Sequence, residues 1–347
     1  MFQAQCTRAL PRLRSNICAK RYLSAGAATD SSQTTLRRSY LYVPSSSERM
    51  LQKSLVSGSD TIIYDLEDSV APSQKETARK GLVQFLNGKH ADALPHPERI
   101  AVRVNAIDTP YFREDIAAVV QTPAIRSIVM PKIHSAENLD AVAREVVHAS
   151  RLASIHERDQ PLRFIASIES ARGFWGVGDI AKWKAESGVG ALSALLFAAE
   201  DYCADTSILR TPSRQELLYT RSRIAAASKA FGLEAIDMVC INYKDTDYLR
   251  EECEDGRRLG YNGKQAIHPS QVDIIQQTFL PSEKEILRAA KIVQYMERSH
   301  QSNLGAFGLE MSDGKGGKEM IDSPMLKQAE NIIRIAKAAG IKIPSIE

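Results

Sequence analysis

Short apolar runs alternate with longer amphipathic segments along the chain from Ser39 onward. Several runs are rich in β-branched residues, as in TIIYDLED and RSIVMPK, which is typical of strands buried on both faces. The pattern therefore predicts strands and helices in strict alternation. The eight runs cover residues 39–44, 61–68, 99–105, 126–132, 163–169, 194–201, 235–242 and 263–269.

The segments between these runs have helical spacing and contain helix-forming residues, most clearly 135–151 and 217–231. Ser135 and Asn138 are suited to begin the first helix, and Gly232 stands where a C-terminal cap of the second is expected. Eight buried strands, each followed by a helix within roughly 250 residues, predict an α/β fold of the (β/α)8 TIM-barrel type. A doubly wound open sheet is the alternative, but no G-x-G-x-x-G motif follows the first strand.

The chain changes character after the eighth run. Residues 284–298 are predicted to form a helix, 305–325 are Gly-rich and predicted to be irregular, and 327–339 are predicted to form the last helix. We therefore expect a barrel domain over residues 37–280 and a C-terminal helical lid or arm over residues 281–347.

The N-terminal segment differs in composition from the rest. Residues 1–29 contain no acidic residue but five basic ones, together with several Ser and Ala. This composition predicts a mitochondrial transit peptide that is removed near residues 22–26, and so delivery to the mitochondrial matrix. A disordered tail is the alternative. The basic residues are Arg8, Arg12, Arg14, Lys20 and Arg21.

Charge and hydropathy narrow the possible partners. The 347 residues include 45 basic and 42 acidic ones, a net charge of +3, which does not favour a nucleic-acid or membrane-surface partner. No apolar run approaches the roughly 18 residues that a membrane-spanning helix needs. Cys203, Cys240 and Cys253 lack C-x-x-C spacing, so free thiols are expected beyond the N-terminal segment.

Polar residues cluster where the predicted strands end. In a TIM barrel these ends form one face, on which active sites are built. Many of them carry a formal charge, and carboxylates predominate. The residues are Ser45, Asp65, Glu67, Asp68, Arg103, Asn105, Lys132, Glu169, Glu200, Asp201, Asn242 and His268.

So many carboxylates on one face predict a bound cation, because like charges held close together are costly to keep ionised. Oxygen ligands with few histidines favour Mg²⁺, which takes one or two protein carboxylates and leaves its other positions to water and substrate. Glu169 and Asp201, on adjacent strands, form the best pair. A lone Glu at a strand end is more often a helix cap or a solvated loop residue, so the concentration of charge carries this prediction.

Arg103 and His268 each allow two interpretations. An inward-facing Arg103 would hold a carboxylate or a forming enolate oxygen, whereas a salt bridge to Asp65 or Glu67 would only neutralise the barrel mouth. His268 is an acid–base catalyst by residue type, but a turn histidine before Pro269 is at least as compatible with the sequence.

Eight sequence blocks, in this order, resemble the citrate lyase beta-subunit family of HpcH/HpaI aldolases. The resemblance covers about residues 37–340 and implies a Mg²⁺-dependent (β/α)8 barrel that cleaves or forms a C–C bond next to an acyl-CoA thioester. The blocks are LYVPSSSERM, YDLEDSV, VRVN, MPKI, IESARG, AEDYCAD, FGLEAID and GKQAIHPSQV.

The resemblance also implies roles for individual residues. Glu169 and Asp201 would hold the metal, Arg103 would bind substrate oxygens, and Asp322 would reach a neighbouring subunit's site as a general acid/base in a homotrimer. Given these roles, we interpret Asp65, Glu67 and Asp68 as residues that order metal-bound water and hold Arg103 in place. Contacts with the acyl-CoA substrate would come from Tyr42, Arg49, Lys53, Ile267 and His268.

Two departures from the family pattern stand near the predicted site. Ser45 and the pair Ala198–Ala199 occupy positions where glycines are common, so the backbone has less room to approach a ligand. Residues 310–318 form a longer segment than in similar chains, which affects the placement of Asp322.

The implied reaction is a retro-Claisen cleavage of citramalyl-CoA to pyruvate and acetyl-CoA. Malyl-CoA cleavage or condensation and a citrate lyase beta-subunit activity are alternatives of the same class. A non-catalytic homologue that binds CoA thioesters is an alternative of another class. An oxidoreductase is disfavoured because no dinucleotide-binding motif is present.

Overall fold

The predicted TIM barrel is confirmed. The structure, a computed structural model, describes residues 35–88, 93–155, 160–186, 188–301, 307–310 and 318–346, so the predicted transit peptide lies outside the described residues. Eight parallel strands pair in chain order and close into a barrel. They are Ser39–Pro44 (β1), Thr61–Asp65 (β2), Ile100–Arg103 (β3), Ser127–Met130 (β4), Leu162–Ile168 (β5), Gly190–Phe197 (β6), Glu234–Asp237 (β7) and Gly263–Ala266 (β8).

Every predicted strand is present, and most end two to five residues before the predicted run does. The second strand, for example, ends at Asp65, and Glu67 and Asp68 follow in the turn. The polar residues near the end of each run therefore lie at the carboxyl ends of the strands or in the loop or first helical turn that follows.

One or more helices follow each barrel strand and cover the outside of the sheet. The predicted helix over 135–151 is Ala136–Leu152, and the one over 217–231 is Leu218–Ala230 followed by Gly232 at φ 72°. The helices are Glu48–Ser54 (α1), Lys75–Asn87 (α2), Phe112–Val120 (α3), Ala136–Leu152 (α4), Ala171–Trp175 (α5), Val177–Ala181 (α6), Ala199–Thr206 (α7), Leu218–Ala230 (α8), Thr246–Arg258 (α9), Val272–Thr278 (α10), Glu283–Gln301 (α11) and Ser323–Ala338 (α12).

Apolar side chains fill the inside of the barrel, so it is a packed core and not a channel. A larger apolar layer lies between the sheet and the surrounding helices. Because the interior is filled, a ligand of the barrel would have to bind at an end of it, and the strand-end residues lie at the mouth. The interior residues are Tyr40, Ile63, Ala101, Val129, Ile165, Ala194, Leu196 and Ile236.

The C-terminal arm has its own small core, in which α11 and α12 pack together around residues such as Ile292, Met296 and Ala329. The sequence predicted no regular structure between these helices, but Phe307–Glu310 (β9) and Lys318–Ile321 (β10) pair as antiparallel strands. The hydrophobic periodicity of strands of only four residues is too weak to be detected in the sequence. No helix in the described part of the chain is long and apolar enough to cross a membrane.

Candidate active site

Asp65 and Arg103 form a two-point ion pair at the carboxyl ends of neighbouring strands. The two residues are paired in register across β2 and β3, and Arg103 Nε and Nη2 each lie 2.7 Å from an oxygen of Asp65. Burial alone would raise the pKa of Asp65, but the hydrogen bonds and charge of Arg103 outweigh it and lower that pKa. Asp65 is therefore an ionised anchor for the guanidinium group.

The third nitrogen of Arg103 faces the rest of the acidic turn. Nη1 lies 3.0 Å from Glu67 Oε2 and 3.3 Å from Asp68 Oδ2, and the guanidinium sits 4.8 Å from the ring centre of Tyr42. The salt bridges considered as one interpretation of Arg103 are thus present. They also hold the guanidinium group in one orientation at the mouth.

Glu67 lies between two cations but remains largely buried. Lys132 Nζ lies 3.4 Å from Glu67 Oε1, whereas Arg103 Nη1 contacts the other carboxylate oxygen, Oε2. Burial raises the pKa of Glu67 to about 7, the charge of Arg103 opposes this rise, and the charge of Asp68 adds to it.

Glu169 follows β5 and is buried among uncharged donors. Its Oε1 accepts a hydrogen bond from Lys132 N at 2.8 Å, and its Oε2 accepts one from Ser167 Oγ at 2.7 Å. Burial raises the pKa of Glu169, the Ser167 hydrogen bond lowers it, and the nearby charge of Asp201 raises it further. Both oxygens are oriented, and each retains a lone pair for a further ligand.

Asp201 lies in the first turn of α7 and is exposed at the mouth. Burial and then the charge of Asp68 raise its pKa, while Arg103 and Lys132 lower it. Glu169 and Asp201 are thus two carboxylates whose ionised forms are disfavoured where they stand.

This donor set fits Mg²⁺. A divalent cation would relieve the mutual repulsion of Glu169 and Asp201, and both supply the hard oxygen ligands that Mg²⁺ prefers. No group of three or more His, Cys, Asp or Glu residues in the described ranges is placed to hold a metal. A site with two protein carboxylates and otherwise water or substrate oxygens agrees with the usual coordination of Mg²⁺.

The predicted CoA-contacting residues lie at the ends of β1 and β8. Tyr42 is half-buried and donates to Gln265 at 3.1 Å, while Arg49 and Lys53 are exposed one turn apart on α1. Ile267 is 43% exposed. His268 makes the contacts of a turn histidine, since its Nδ1 accepts from Ser270 N at 3.2 Å and its ring stacks on Tyr243.

Asp322 lies on the arm. It is exposed at the N-terminus of α12, where its Oδ1 accepts from Met325 N at 3.3 Å. Among the described residues, no hydrogen bond or ion pair joins Asp322 to the mouth. Its role in a neighbouring subunit stays a prediction.

Two residues at the mouth had no predicted role. Lys132 appeared among the strand-end residues, but nothing in the sequence indicated its left-handed backbone, with φ 52°. Gln265 is buried on β8 and links Tyr42 to Phe197 O and Asp237 O at 2.9 and 3.0 Å. A glutamine within a short apolar run was the available signal for this second residue.

Comparison with known proteins supports the resemblance. The chain is 32% identical to the citrate lyase subunit beta-like protein of Deinococcus radiodurans over 86% of its own length and 96% of that protein. It is 31% identical to the human mitochondrial citramalyl-CoA lyase, covering 86% of this chain and 85% of that one. The predicted enzyme class, a lyase, is the class that these relatives' names give.

A solved structure agrees in fold as well. Protein CitE of Mycobacterium tuberculosis, in complex with magnesium, acetoacetate and coenzyme A, is 28% identical to this chain with a TM-score of 0.68. The match covers 87% of this chain and 98% of that one. Residues 38–269 match the family described as HpcH/HpaI aldolase/citrate lyase. The chain, as the strand-end motifs indicated, belongs to that family.

Proposed function

We propose that this protein is a Mg²⁺-dependent carbon–carbon lyase that cleaves citramalyl-CoA into pyruvate and acetyl-CoA. The observation that carries the proposal is the pair Glu169 and Asp201 beside the anchored guanidinium of Arg103 at one barrel mouth. The human relative, named citramalyl-CoA lyase, supports the choice of substrate.

Glu169 and Asp201 would hold the metal ion. Ser167 Oγ and Lys132 N orient the carboxylate of Glu169, so it does not have to be ordered when the ion binds. The bound ion would act as a Lewis acid that makes the tertiary hydroxyl of the substrate easier to deprotonate.

Arg103 would stabilise the oxygen charge that develops on the thioester as the C–C bond breaks and its electron pair moves to the acetyl fragment. Its Nε, Nη1 and Nη2 all contact carboxylates, and one N–H of Nη2 has no partner among the described residues. That N–H is available to the substrate. Asp65 fixes the direction in which it points.

The CoA part of the substrate would lie across β1, α1 and β8. Arg49 and Lys53 are exposed cations one helical turn apart, which suits phosphate groups. Tyr42, Ile267 and His268 would contact the remainder of the thioester.

Asp322 would act as the general acid/base in the site of a neighbouring subunit of a homotrimer. Its exposure supports this proposal, as does the second carboxylate oxygen, which is not used in capping α12. We also propose that residues 1–29 are a transit peptide and that the mature enzyme lies in the mitochondrial matrix, because the relatives named citramalyl-CoA lyase are mitochondrial proteins.

A citrate lyase beta-subunit activity is the second candidate. Bacterial relatives of that name, such as the one from Leuconostoc mesenteroides, are about as similar to this chain, at 29% identity over 87% of it. Malyl-CoA cleavage would use the same residues. A homologue that binds thioesters without cleaving them would keep its CoA affinity and show no turnover.

The test is a substrate comparison. Purified protein beginning at residue 35 is incubated with citramalyl-CoA, malyl-CoA or citryl-CoA, with and without Mg²⁺, and the release of acetyl-CoA is followed. The proposal predicts that citramalyl-CoA has the highest kcat/KM and that release requires Mg²⁺. A higher kcat/KM for citryl-CoA would favour the second candidate, and binding without release from any of the three would exclude a lyase.

A further inference from the structure

Lys132 adopts a backbone conformation that is unfavourable for lysine. It lies two residues after the end of β4, with φ 52°, a left-handed conformation that glycine adopts freely and that a Cβ disfavours. The other non-glycine residues with positive φ in the described ranges stand after or before helices and not after a barrel strand. They are Ser154, Ser207 and Arg214. Residues held in such conformations concentrate at functional sites.

The backbone of Lys132 has a clear use, but that use does not require a lysine. The turn directs the Lys132 N–H to Glu169 Oε1, at 2.8 Å. A glycine would donate the same hydrogen bond without the steric cost. The side chain must therefore account for the lysine.

The ammonium group of Lys132 has more N–H donors than its protein contact uses. Among the described residues its one partner is Glu67, at 3.4 Å, and 48% of the side chain is exposed at the mouth. An ammonium carries three N–H donors. Its charge also acts on Glu169 and Asp201, the proposed metal pair, and the backbone N–H of Lys132 lies 2.8 Å from Glu169 Oε1.

Most N–H donors of Arg103, the other cation of the mouth, are already used in contacts with carboxylates of the protein. All three of its nitrogens contact carboxylates, with two of them fixed on Asp65. A substrate with two anionic parts, a carboxylate and a thioester oxygen that gains charge, needs a second cation with free donors. Lys132 meets that description.

We propose that Lys132 is a substrate-binding residue whose ammonium binds the carboxylate of the α-oxo acid half of the substrate. Glu67 holds the ammonium over the mouth, and Arg103 is left to the thioester half. Lys132 would thus select substrates that carry a carboxylate next to the bond that breaks. This inference rests on the proposed lyase function.

The test separates the side chain of Lys132 from its backbone. Binding of pyruvate in the presence of Mg²⁺, binding of Mg²⁺ alone and binding of free CoA are measured by calorimetry, and thermal unfolding midpoints are recorded. For Lys132→Met we expect about tenfold weaker pyruvate binding, the loss of one charged hydrogen bond at a half-exposed position. Affinities for Mg²⁺ and CoA should stay at the wild-type values.

Lys132→Gly should lose the same pyruvate affinity although its unfolding midpoint equals or exceeds that of the wild type, because the left-handed turn is then unstrained. The matched control is Lys182→Met, which removes an exposed lysine paired with Asp179 on the outer surface and should change neither property. Lys132→Met with wild-type pyruvate affinity, or with parallel losses of pyruvate and Mg²⁺ affinity, would overturn the inference.

The two proposals fail differently in these experiments. If the wild type cleaves citramalyl-CoA but Lys132→Met keeps both its pyruvate affinity and its KM, only the role of Lys132 is wrong. If the wild type neither binds pyruvate nor cleaves the thioester, the proposed function fails and the role of Lys132 fails with it.

Discussion

At the scale of single residues, the site depends on how a few carboxylates are held. Asp65 is buried with a lowered pKa because Arg103 bonds to both of its oxygens, whereas Glu169 is buried among neutral donors and has a raised pKa. The sequence could place both carboxylates at strand ends. The sequence could not indicate which carboxylate forms an ion pair with a cationic side chain and which one is left to bind a metal ion, because that depends on the directions of the side chains.

Replacing Arg103 by lysine keeps the positive charge but removes the two parallel hydrogen bonds to Asp65, so it tests the importance of that geometry. Lysine cannot bond to both oxygens of Asp65 and also present an N–H to the substrate, so we expect kcat for citramalyl-CoA to fall by about 10². Arg99→Lys is the matched control, because Arg99 lies just before β3, at the opposite end of that strand from Arg103. Its guanidinium donates to Ser57 O and Ser59 O in the segment before β2. Wild-type kcat in Arg103→Lys would contradict the assigned role.

At the scale of elements, the strands were predictable and their ends were not. Residues 61–68 form one continuous run in the sequence, but the ladder stops at Asp65, where the side chain turns to Arg103. A hydrophobic pattern identifies the buried part of a strand. It does not mark the end of the strand when the turn that follows keeps the same alternation of apolar and polar residues. The strand pair β9–β10 escaped prediction for a different reason, since four residues in each strand are too few for an alternation to be recognised.

Closure of the barrel depends on Gly263 at the start of β8. A Cβ at that position would lie 2.4 Å from Arg38 O and 2.7 Å from Arg37 O, in the chain that leads into β1. We expect Gly263→Ala to destabilise the fold by at least about 2 kcal/mol through this backbone clash, measured as a lower unfolding midpoint.

Gly81→Ala is the control for that substitution. A Cβ at Gly81, within α2, meets nothing within 4 Å, so alanine should stabilise the protein by about 0.5–1 kcal/mol. Equal unfolding midpoints for the two variants would show that strand β8 does not approach the entering chain as described.

At the scale of the whole molecule, the barrel carries the metal pair and the arm carries Asp322. The arm packs through its own core of α11, α12 and β10, which holds Asp322 at an exposed helix start. Propensity and capping signals predicted the helices of the arm. Which subunit's active site Asp322 enters depends on how the subunits assemble, and the pattern of residues in one chain does not show this.

Mixing two inactive chains tests the proposed assembly. An Asp322→Asn chain mixed with a Glu169→Gln chain should regain activity at about a quarter of the sites if each site takes these residues from different subunits. Glu169→Gln mixed with Asp201→Asn is the control and should regain none, because both residues belong to one barrel mouth. Mixed oligomers, confirmed by a different affinity tag on each chain, without recovered activity would place the whole site within one chain.

The most direct test of the central claim is acetyl-CoA release from citramalyl-CoA by protein stripped of metal with a chelator. We predict no release after stripping and full release when Mg²⁺ is restored. Under the same conditions Glu169→Gln, whose fold should be intact, should not recover. Release at the wild-type rate by the stripped protein, or by Glu169→Gln, would contradict the account.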